Sequence, residues 1–326
     1  MADIPELMKA AALDRFGGPE NFSVEVVTVP SLDPDEILIR VHTAGVGVWD
    51  ASEREGRLAD WMEAEPTFPY VLGSDGSGTV VAVGSGVEEF GEGDRVYAAS
   101  FLNPKGGFYA EYTAVKAEHA AHVPEGLSME EAGALPVDGV TALRGLQDEL
   151  GLEEGDSVLV FGASGGVGHL AVQLARAMGA RVLAVASGGD GVDRVEELDV
   201  DEVVDGHASA EDLAEAQRRL APEGLNAALV TASGEGLETA LAGLREGGRL
   251  AWPNGVRPEP EAPHGVEATA YNGLPDPDIL REMNRLIDSG PFRVLVEETF
   301  SMRDASDAHR RLEDHYVGKL AIRISD

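Results

Sequence analysis

The segment VLVFGASGGVGHLAVQLA (158–175) constrains the fold more than any other part of the chain. A short apolar strand runs into a glycine-rich turn, and an amphipathic helical pattern begins directly behind it. The turn has the spacing A-x-G-x-x-G on Ala163, Gly165 and Gly168, a variant of the dinucleotide-binding fingerprint. No Lys-Ser or Lys-Thr pair follows the glycines, which excludes a P-loop. We therefore predict a βαβ unit that binds a dinucleotide; the alternative is a tight turn without a ligand.

The rest of the chain shows two patterns. Before about residue 125, short apolar runs with period-2 alternation, such as SGTVVAVGSG (77–86), predict a β-rich domain. Ser128 with Glu131 then predicts a helix capping box. Beyond residue 156, strand and helix patterns alternate, with EGLETALAGLREG (235–247) as one of the helices. This alternation predicts an α/β fold with a doubly wound parallel sheet. The predicted domain limits are 1–124, 125–271 and 272–326, the last segment returning to the first domain.

The chain is strongly acidic and contains no cysteine. Its 59 acidic and 25 basic residues give a net charge of −34, so we expect neither nucleic acid nor a membrane as a partner. The charge indicates either a halophilic, high-salt cytoplasm or a merely acidic protein. Neither a signal peptide nor an apolar run of roughly 18 residues is recognised, so a cytoplasmic location is expected. The lack of cysteine excludes disulfides, thiolate nucleophiles and cysteine-ligated zinc.

The glycine turn and the end of the next strand determine the expected cofactor contacts. Glycines let the backbone approach a pyrophosphate at the helix N-terminus, and a serine adds a hydroxyl. The predicted phosphate-binding residues are Ala163, Ser164, Gly165, Gly166, Val167 and Gly168. An NAD site places an acid about 20 residues further on, but Ala186 stands there, followed by Ser187 and Gly188 as donors for a 2′-phosphate. NADP is therefore favoured although Asp190 would repel it, and Arg194 is either a phosphate contact or a solvated helix residue.

Further motifs resemble the medium-chain dehydrogenase/reductase superfamily, in its zinc-free quinone-oxidoreductase (zeta-crystallin-like) branch. Besides the glycine turn, the motifs are VHTAGVGVWDASEREG (41–56), VLGSDGSGTVVAVGSGV (71–87), FGEGDRVYA (90–98), GGFYAEYTAV (106–115) and LPVDGVTALRGL (135–146). The resemblance implies a GroES-like substrate domain joined to a Rossmann domain, with the active site in the cleft between them. It also implies a homodimer that pairs Rossmann sheet edges, for which GRLAWPN and GVEATAY offer apolar strands.

The resemblance also allows the zinc-ligand positions of the superfamily to be compared with this sequence. Zinc members of the superfamily hold the ion with a Cys, a GHE segment and a further Cys or Asp. This chain has Gly47 near the first position and Ser74-Asp75 in place of His-Glu. One carboxylate and a serine cannot supply the three protein ligands of a catalytic zinc. The eight histidines have no metal-ligand spacing, so we predict no metal site.

Hydride transfer to an acceptor that is already electrophilic needs no Lewis acid, which indicates quinones and α,β-unsaturated carbonyls as substrates. The candidate catalytic residues are Trp49, Tyr109 and Thr141, each with a packing or helix-hydroxyl alternative. Candidate cofactor contacts are Thr141 near the nicotinamide and Asn254 and Gly255 near the nicotinamide ribose. Lys319 resembles a cofactor-side basic residue; the alternative is a solvated lysine at a strand end. We thus predict a zinc-independent NADPH-dependent quinone or enone reductase. The alternatives are an alcohol or enoyl reductase with another acceptor, and a non-catalytic NADPH-binding structural or sensor protein.

Overall fold

A computed structural model of the protein describes residues 4–62 and 65–325. The chain forms two compact units. The β-rich unit comprises Met1–Val137, Pro275–Arg281 and Val296–Asp326, and the α/β unit comprises Asp138–Leu274 and Glu282–Leu295. The predicted α/β fold, with a GroES-like domain and a Rossmann-type parallel sheet, is confirmed. None of the helices in the described parts of the chain is long and apolar enough to cross a membrane.

Two sheets form the β-rich unit. In the smaller one, β1 (Leu7–Leu13) pairs antiparallel with both β2 (Phe22–Thr28) and β4 (Tyr70–Val71). The larger one has the order β15-β16-β3-β5-β6-β8, with β7 also on β3. Its strands are β3 (Glu36–Val46), β5 (Asp75–Val83), β6 (Arg95–Ala99), β7 (Tyr112–Lys116), β8 (Ala120–His122), β15 (Val296–Ser301) and β16 (Lys319–Arg323). Inward-facing apolar residues of both sheets make the core.

Short helices α1 (Val48–Arg54), α2 (Met129–Ala134) and α9 (Ala305–Arg311) lie within the β-rich unit. The capping box predicted for α2 is confirmed. The Ser128 hydroxyl accepts a hydrogen bond from the Glu131 amide at 3.2 Å, and the Glu131 carboxylate accepts from the Ser128 amide at 3.0 Å.

A parallel sheet with the strand order β11-β10-β9-β12-β13-β14 forms the centre of the α/β unit. Its strands are β9 (Ser157–Phe161), β10 (Arg181–Ala186), β11 (Glu202–Asp205), β12 (Leu225–Val230), β13 (Leu244–Pro253) and β14 (Glu267–Tyr271). The helices are α3 (Pro136–Arg144), α4 (Gly166–Ala177), α5 (Gly188–Glu196), α6 (Ala210–Leu220), α7 (Leu237–Leu241) and α8 (Pro277–Asp288), of which α3 and α8 include residues of both units. Because every pair in this sheet is parallel, the carboxyl ends of all its strands lie along one edge.

The structure corrects one predicted helix and adds two. The helix predicted over 235–247 is wrong in its second half, because α7 ends at Leu241 and β13 begins at Leu244. Gly243 packs against Gln217 with no room for a side chain, and the chain from Leu244 on pairs with β12. Helices α1 and α8 were not predicted, although the Asp276 carboxylate caps α8 at its N-terminus.

Candidate active site and dinucleotide-binding turn

The glycine turn joins β9 to α4. Gly162 has φ +87°, a left-handed conformation that favours glycine, and its carbonyl accepts a hydrogen bond from the Gly165 amide at 3.0 Å. A side chain at Gly168 would overlap the Gly162 carbonyl. The first turn of α4 is therefore packed directly onto the strand end, as the sequence spacing predicts.

The turn has the features that a dinucleotide phosphate requires. Gly165 has an ordinary φ of −82°, and a Cβ built on it would meet only the Gly162 carbonyl, at 3.4 Å. Packing within the protein therefore does not demand glycine at this position, whereas close approach of a phosphate does. Gly166 and Val167 open α4, where free amides and the helix dipole favour an anion. Ala163 is fully buried beneath the turn.

The ends of β10 and β11 flank the turn. Ala186 is buried and offers no side-chain acceptor. The Ser187 amide donates to the Ser164 hydroxyl at 3.1 Å, which joins the two predicted cofactor loops. Gly188 follows with φ +78° and begins α5. Arg194 is half-exposed and pairs with Glu197 at 3.2 Å, as a solvated helix residue does.

The sequence pattern did not indicate Asp205, although this residue ends a strand of the same sheet. It is the register partner of Ala186 and accepts hydrogen bonds from the His207 amide at 2.9 Å and from His207 Nδ1 at 3.0 Å. The pKa of its carboxyl is lowered by the His207 amide first, and the Gly188 amide also contributes. A carboxylate therefore lies beside the turn that was predicted to hold a 2′-phosphate.

Two more predicted residues lie at the same edge of this sheet. Asn254 follows β13; its amide donates to the Tyr271 carbonyl at 2.7 Å, and its side chain donates to Asn272. Gly255 has φ +117°, and a Cβ there would meet no atom within 4 Å. Thr141 lies in α3 and is largely buried. It packs closely on Gly273, so that a side chain at position 273 would overlap the Thr141 hydroxyl.

In the β-rich unit, the segment around Ser74 and Asp75 is occupied by internal hydrogen bonds. Asp50 is buried; its Oδ1 accepts from both the amide and the hydroxyl of Ser74 at 3.0 Å, and its Oδ2 accepts from the Gly47 amide at 2.9 Å. Asp75 accepts from the Val137 amide at 2.9 Å. These oxygens satisfy protein donors, so they do not fit a metal-ligand set.

Lys319 completes what we call the Asp50 cluster: Gly47, Asp50, Ser74 and Lys319. Its side chain is buried, and its Nζ would lie 3.8 Å from a Cβ at Gly47. Burial raises the pKa of Asp50, while hydrogen bonds from Gly47 and Ser74 and the Lys319 charge oppose that rise. Among residues 4–62 and 65–325, no group of three or more His, Asp or Glu residues could hold a metal ion.

Trp49 belongs to an aromatic cluster beside the Asp50 cluster. Its ring lies 5.0 Å from that of Phe101, edge to face, and 6.1 Å from that of Trp61. The indole Nε1 is buried and has no hydrogen-bond partner within the described residues. Trp61 is 60% exposed, so the aromatic cluster presents one large apolar surface to solvent.

Tyr109 lies in the core of the β-rich unit, near the Asp50 cluster. Its side chain is fully buried, and its hydroxyl is 3.1 Å from His309 Nε2 in the core of the β-rich unit. Burial raises the pKa of its hydroxyl well above the ordinary value. This placement favours the packing alternative for Tyr109 over contact with a substrate.

Comparison with known proteins agrees with the two-part architecture. Residues 33–125 match the family model "Alcohol dehydrogenase GroES-like domain", and residues 166–261 match "Zinc-binding dehydrogenase". A crystal structure of an NAD-dependent alcohol dehydrogenase superposes with a TM-score of 0.85 at 29% identity, covering 98% of this chain and 100% of that one.

Proteins of similar sequence indicate which branch of the dehydrogenases the chain resembles. The chain is 33% identical to the quinone oxidoreductase of Homo sapiens over 77% of its own length and 74% of the relative's. It is 32% identical to the NADPH-dependent alkenal/one oxidoreductase, chloroplastic, of Arabidopsis thaliana, covering 98% and 81%. Together with the glycine turn and the GroES-like sheet, these similarities show that the chain belongs to the medium-chain dehydrogenase/reductase superfamily, in its zeta-crystallin-like branch.

Proposed function

We propose that the protein is a zinc-independent, NADPH-dependent reductase that transfers hydride to a quinone or an α,β-unsaturated carbonyl. The observation that supports this most directly is the Asp50 cluster. Ser74 replaces the histidine of zinc relatives, and both its amide and its hydroxyl are bonded to the buried Asp50 carboxylate. A histidine ligand at this position would remove the hydroxyl bond and leave the buried Asp50 carboxylate short of one donor.

A site without a Lewis acid suits an acceptor whose own carbonyl already withdraws electrons. Bound NADPH supplies the hydride, and water supplies the proton that completes the reduction. The chain must then align the two reactants and favour the negative charge that develops on oxygen. We propose that Lys319 presents positive charge for this purpose, and that Trp49 orients the acceptor ring.

For the cofactor, we propose that the glycine turn binds the pyrophosphate and that Ser187 and Gly188 bind the 2′-phosphate. Ala186 offers no acceptor for ribose hydroxyls, which argues against NAD. Asp205 argues the other way, because its carboxylate accepts from the Gly188 amide as well as from His207, so 2′-phosphate binding requires the Gly188 amide to turn from Asp205 to the phosphate. Thr141, Asn254 and Gly255 are proposed to lie near the nicotinamide. Arg194, with its charge paired to Glu197, and the buried Tyr109 receive no role here.

For the assembly, we propose a cytoplasmic homodimer in which β14, the outermost strand of its sheet, pairs with its copy. Among the described strands, β14 pairs with β13 on one side only, so the backbone groups of its other side are available for this pairing. Analytical ultracentrifugation of the wild type and of Thr269→Pro tests it, because proline cannot donate to a strand ladder. A dimer that persists unchanged in the variant contradicts pairing through β14.

The function is tested by the oxidation of NADPH and NADH with a panel of quinones, enals and enones. We expect turnover with NADPH, at least tenfold higher kcat/KM than with NADH, and the same rate before and after dialysis against a chelator. Tight NADPH binding with no turnover on any acceptor supports the sensor alternative instead. Loss of activity on chelation, restored by Zn²⁺, contradicts zinc independence, and a preference for NADH contradicts the role of Ser187 and Gly188.

A further inference from the structure

Helix α4 buries two polar side chains that the proposed chemistry does not use. His169 is fully buried and Gln173 is 8% exposed, on a helix whose other buried residues are apolar. Burying such groups costs free energy unless each one is hydrogen-bonded. Their partners therefore indicate what they are for.

His169 links the glycine turn to a distant part of the chain. Its Nε2 lies 3.1 Å from the Leu295 amide nitrogen, and because an amide can only donate, Nε2 is the acceptor. The ring proton is then on Nδ1, which donates to the Gly165 carbonyl at 2.9 Å. The same carbonyl also accepts from the His169 amide at 3.1 Å. The neutral imidazole thus adds a second hydrogen bond that fixes the Gly165 carbonyl.

Gln173, one turn further along α4, holds the same distant segment. Its Nε2 donates to the Arg293 carbonyl at 2.9 Å and to the His169 carbonyl at 2.8 Å, and its Oε1 accepts from the Arg293 amide at 2.9 Å. We call residues 291–295 the connector; they have no regular secondary structure and end the α/β unit before the chain continues into the β-rich unit at Val296. The connector is therefore bonded to α4 through both side chains.

We propose that His169 and Gln173 are positioning residues of the dinucleotide site, and this inference rests on the proposed use of the glycine turn. The carbonyl of Gly165 and the N–H of Gly166 belong to one planar trans peptide, so they point in opposite directions. The His169 imidazole and amide both bind this carbonyl from the α4 side, so the Gly166 N–H points out of the N-terminus of α4, as phosphate binding requires. Gln173 keeps the connector in place, so that the Leu295 amide holds His169 in the required tautomer.

Direct binding of NADPH and NADH, followed by cofactor fluorescence, tests this without turnover. Using the cofactor that the wild type binds more tightly, we expect His169→Leu to raise Kd at least tenfold. His169→Gln, whose amide both donates and accepts, should return Kd to within threefold of the wild type. Gln173→Met should raise Kd about threefold to tenfold and speed hydrogen exchange at 291–295. The matched control is Gln217→Met, because Gln217 is also buried in this unit and bonds to a backbone carbonyl.

The results separate the two levels of the proposal. Wild-type binding of either cofactor, with His169→Leu unchanged in Kd, overturns the positioning role alone. If Gln217→Met weakens cofactor binding as much as Gln173→Met does, at an equal loss of Tm, the positioning role is overturned as well. General destabilisation of the unit would then explain the weaker binding. Absence of binding by the wild type overturns the dinucleotide site and this inference together. Should His169→Leu fail to fold, the comparison of Gln173→Met with Gln217→Met decides the question.

Discussion

At the scale of single residues, the buried charges of α1 are the most unusual feature of the β-rich unit. Asp50, Glu53 and Arg54 are each 3% exposed. Burial raises the pKa of both carboxyls and lowers that of the guanidinium, whose Nε and Nη1 have no hydrogen-bond partner within the described residues. A helix of seven residues with three buried ionisable groups is costly. This cost is consistent with a site kept for function, since strain and buried polarity concentrate at such sites.

Glu53 should make stability depend on pH. Burial raises its pKa from 4.5 to about 8, and the Tyr70 hydroxyl donates to its carboxylate oxygen at 2.7 Å. Between pH 4.5 and about 8, Glu53 keeps a proton in the folded state that it has released in the unfolded state. The free energy of unfolding therefore falls as pH rises, by about 1.4 kcal/mol per pH unit. Glu53→Gln removes this slope. We expect the unfolding free energy of the variant, measured in urea, to exceed that of the wild type increasingly from pH 5 to pH 8.

The control for this measurement is Glu196→Gln, which changes an exposed glutamate of α5. Its unfolding free energy should follow the wild-type pH profile. Parallel profiles for Glu53→Gln and the wild type would show that Glu53 is ionised at neutral pH in the folded protein.

Trp49 should set the preference among acceptors. A quinone ring is flat and electron-poor, and it can stack on the aromatic cluster, whereas a short enal cannot. For Trp49→Leu we expect kcat/KM to fall at least tenfold for a naphthoquinone and by less than threefold for but-2-enal. Phe68→Leu, which alters an aromatic residue packed on Phe16 and Tyr70 instead, should leave the ratio unchanged. Equal losses for both acceptors in Trp49→Leu would contradict a stacking role.

At the scale of elements, the glycine turn offers a matched pair of substitutions. Gly168→Ala places a methyl group against the Gly162 carbonyl, so it should lower Tm by several degrees and weaken cofactor binding as a consequence. Gly165→Ala meets no such obstacle, so its Tm should stay within about 2 °C of the wild type while Kd for NADPH rises at least fivefold. Calorimetry and fluorescence titration measure the two quantities. A Gly165→Ala protein that binds NADPH normally would show that no ligand approaches this glycine.

The residue pattern along the sequence predicted those helices and strands whose formation depends on residues adjacent in the chain. The strand, turn and helix from Ser157 to Ala177 and the Ser128 capping box follow from spacing alone. The second half of the 235–247 window formed a strand because pairing with β12 outweighed its helical pattern. The unpredicted α8 buries Ile279, Leu280, Met283, Leu286 and Ile287 at helical spacing, so its signal was present in the sequence.

The candidate site was less accessible to prediction, because its contacts join residues that are far apart in the chain. Asp50 meets Ser74 across 24 positions, and His169 meets the Leu295 amide across 126. Tyr109 is the clearest case: its motif indicated a site residue, but a hydrogen bond to His309, 200 positions away, places its hydroxyl in the core. No spacing rule relates such pairs, since tertiary packing alone brings them together.

At the scale of the whole molecule, the acidic surface should make stability depend on salt. A net charge of −34 repels itself in the folded state, and added salt shortens the Debye length from about 10 Å at 0.1 M to about 3 Å at 1 M. We expect Tm to rise steadily between 0.1 and 2 M KCl, and to rise far less in sorbitol at matched osmolality. A Tm that does not change with KCl would contradict a high-salt cellular origin.

The hydrogen bonds between Asp50 and Ser74 also affect how readily substitutions could give this chain a metal site. Replacing Ser74 by histidine would supply one ligand, but it would also remove a hydroxyl donor from a buried carboxylate. A second substitution, at Asp75, would remove the carboxylate that accepts from the Val137 amide. A third ligand would still have to replace Gly47, which lies beside Lys319, and the charge of Lys319 opposes a cation. Each single step is therefore harmful before all of them together are useful. We therefore expect single substitutions toward a metal site to lower the stability of the β-rich unit before a complete ligand set is present.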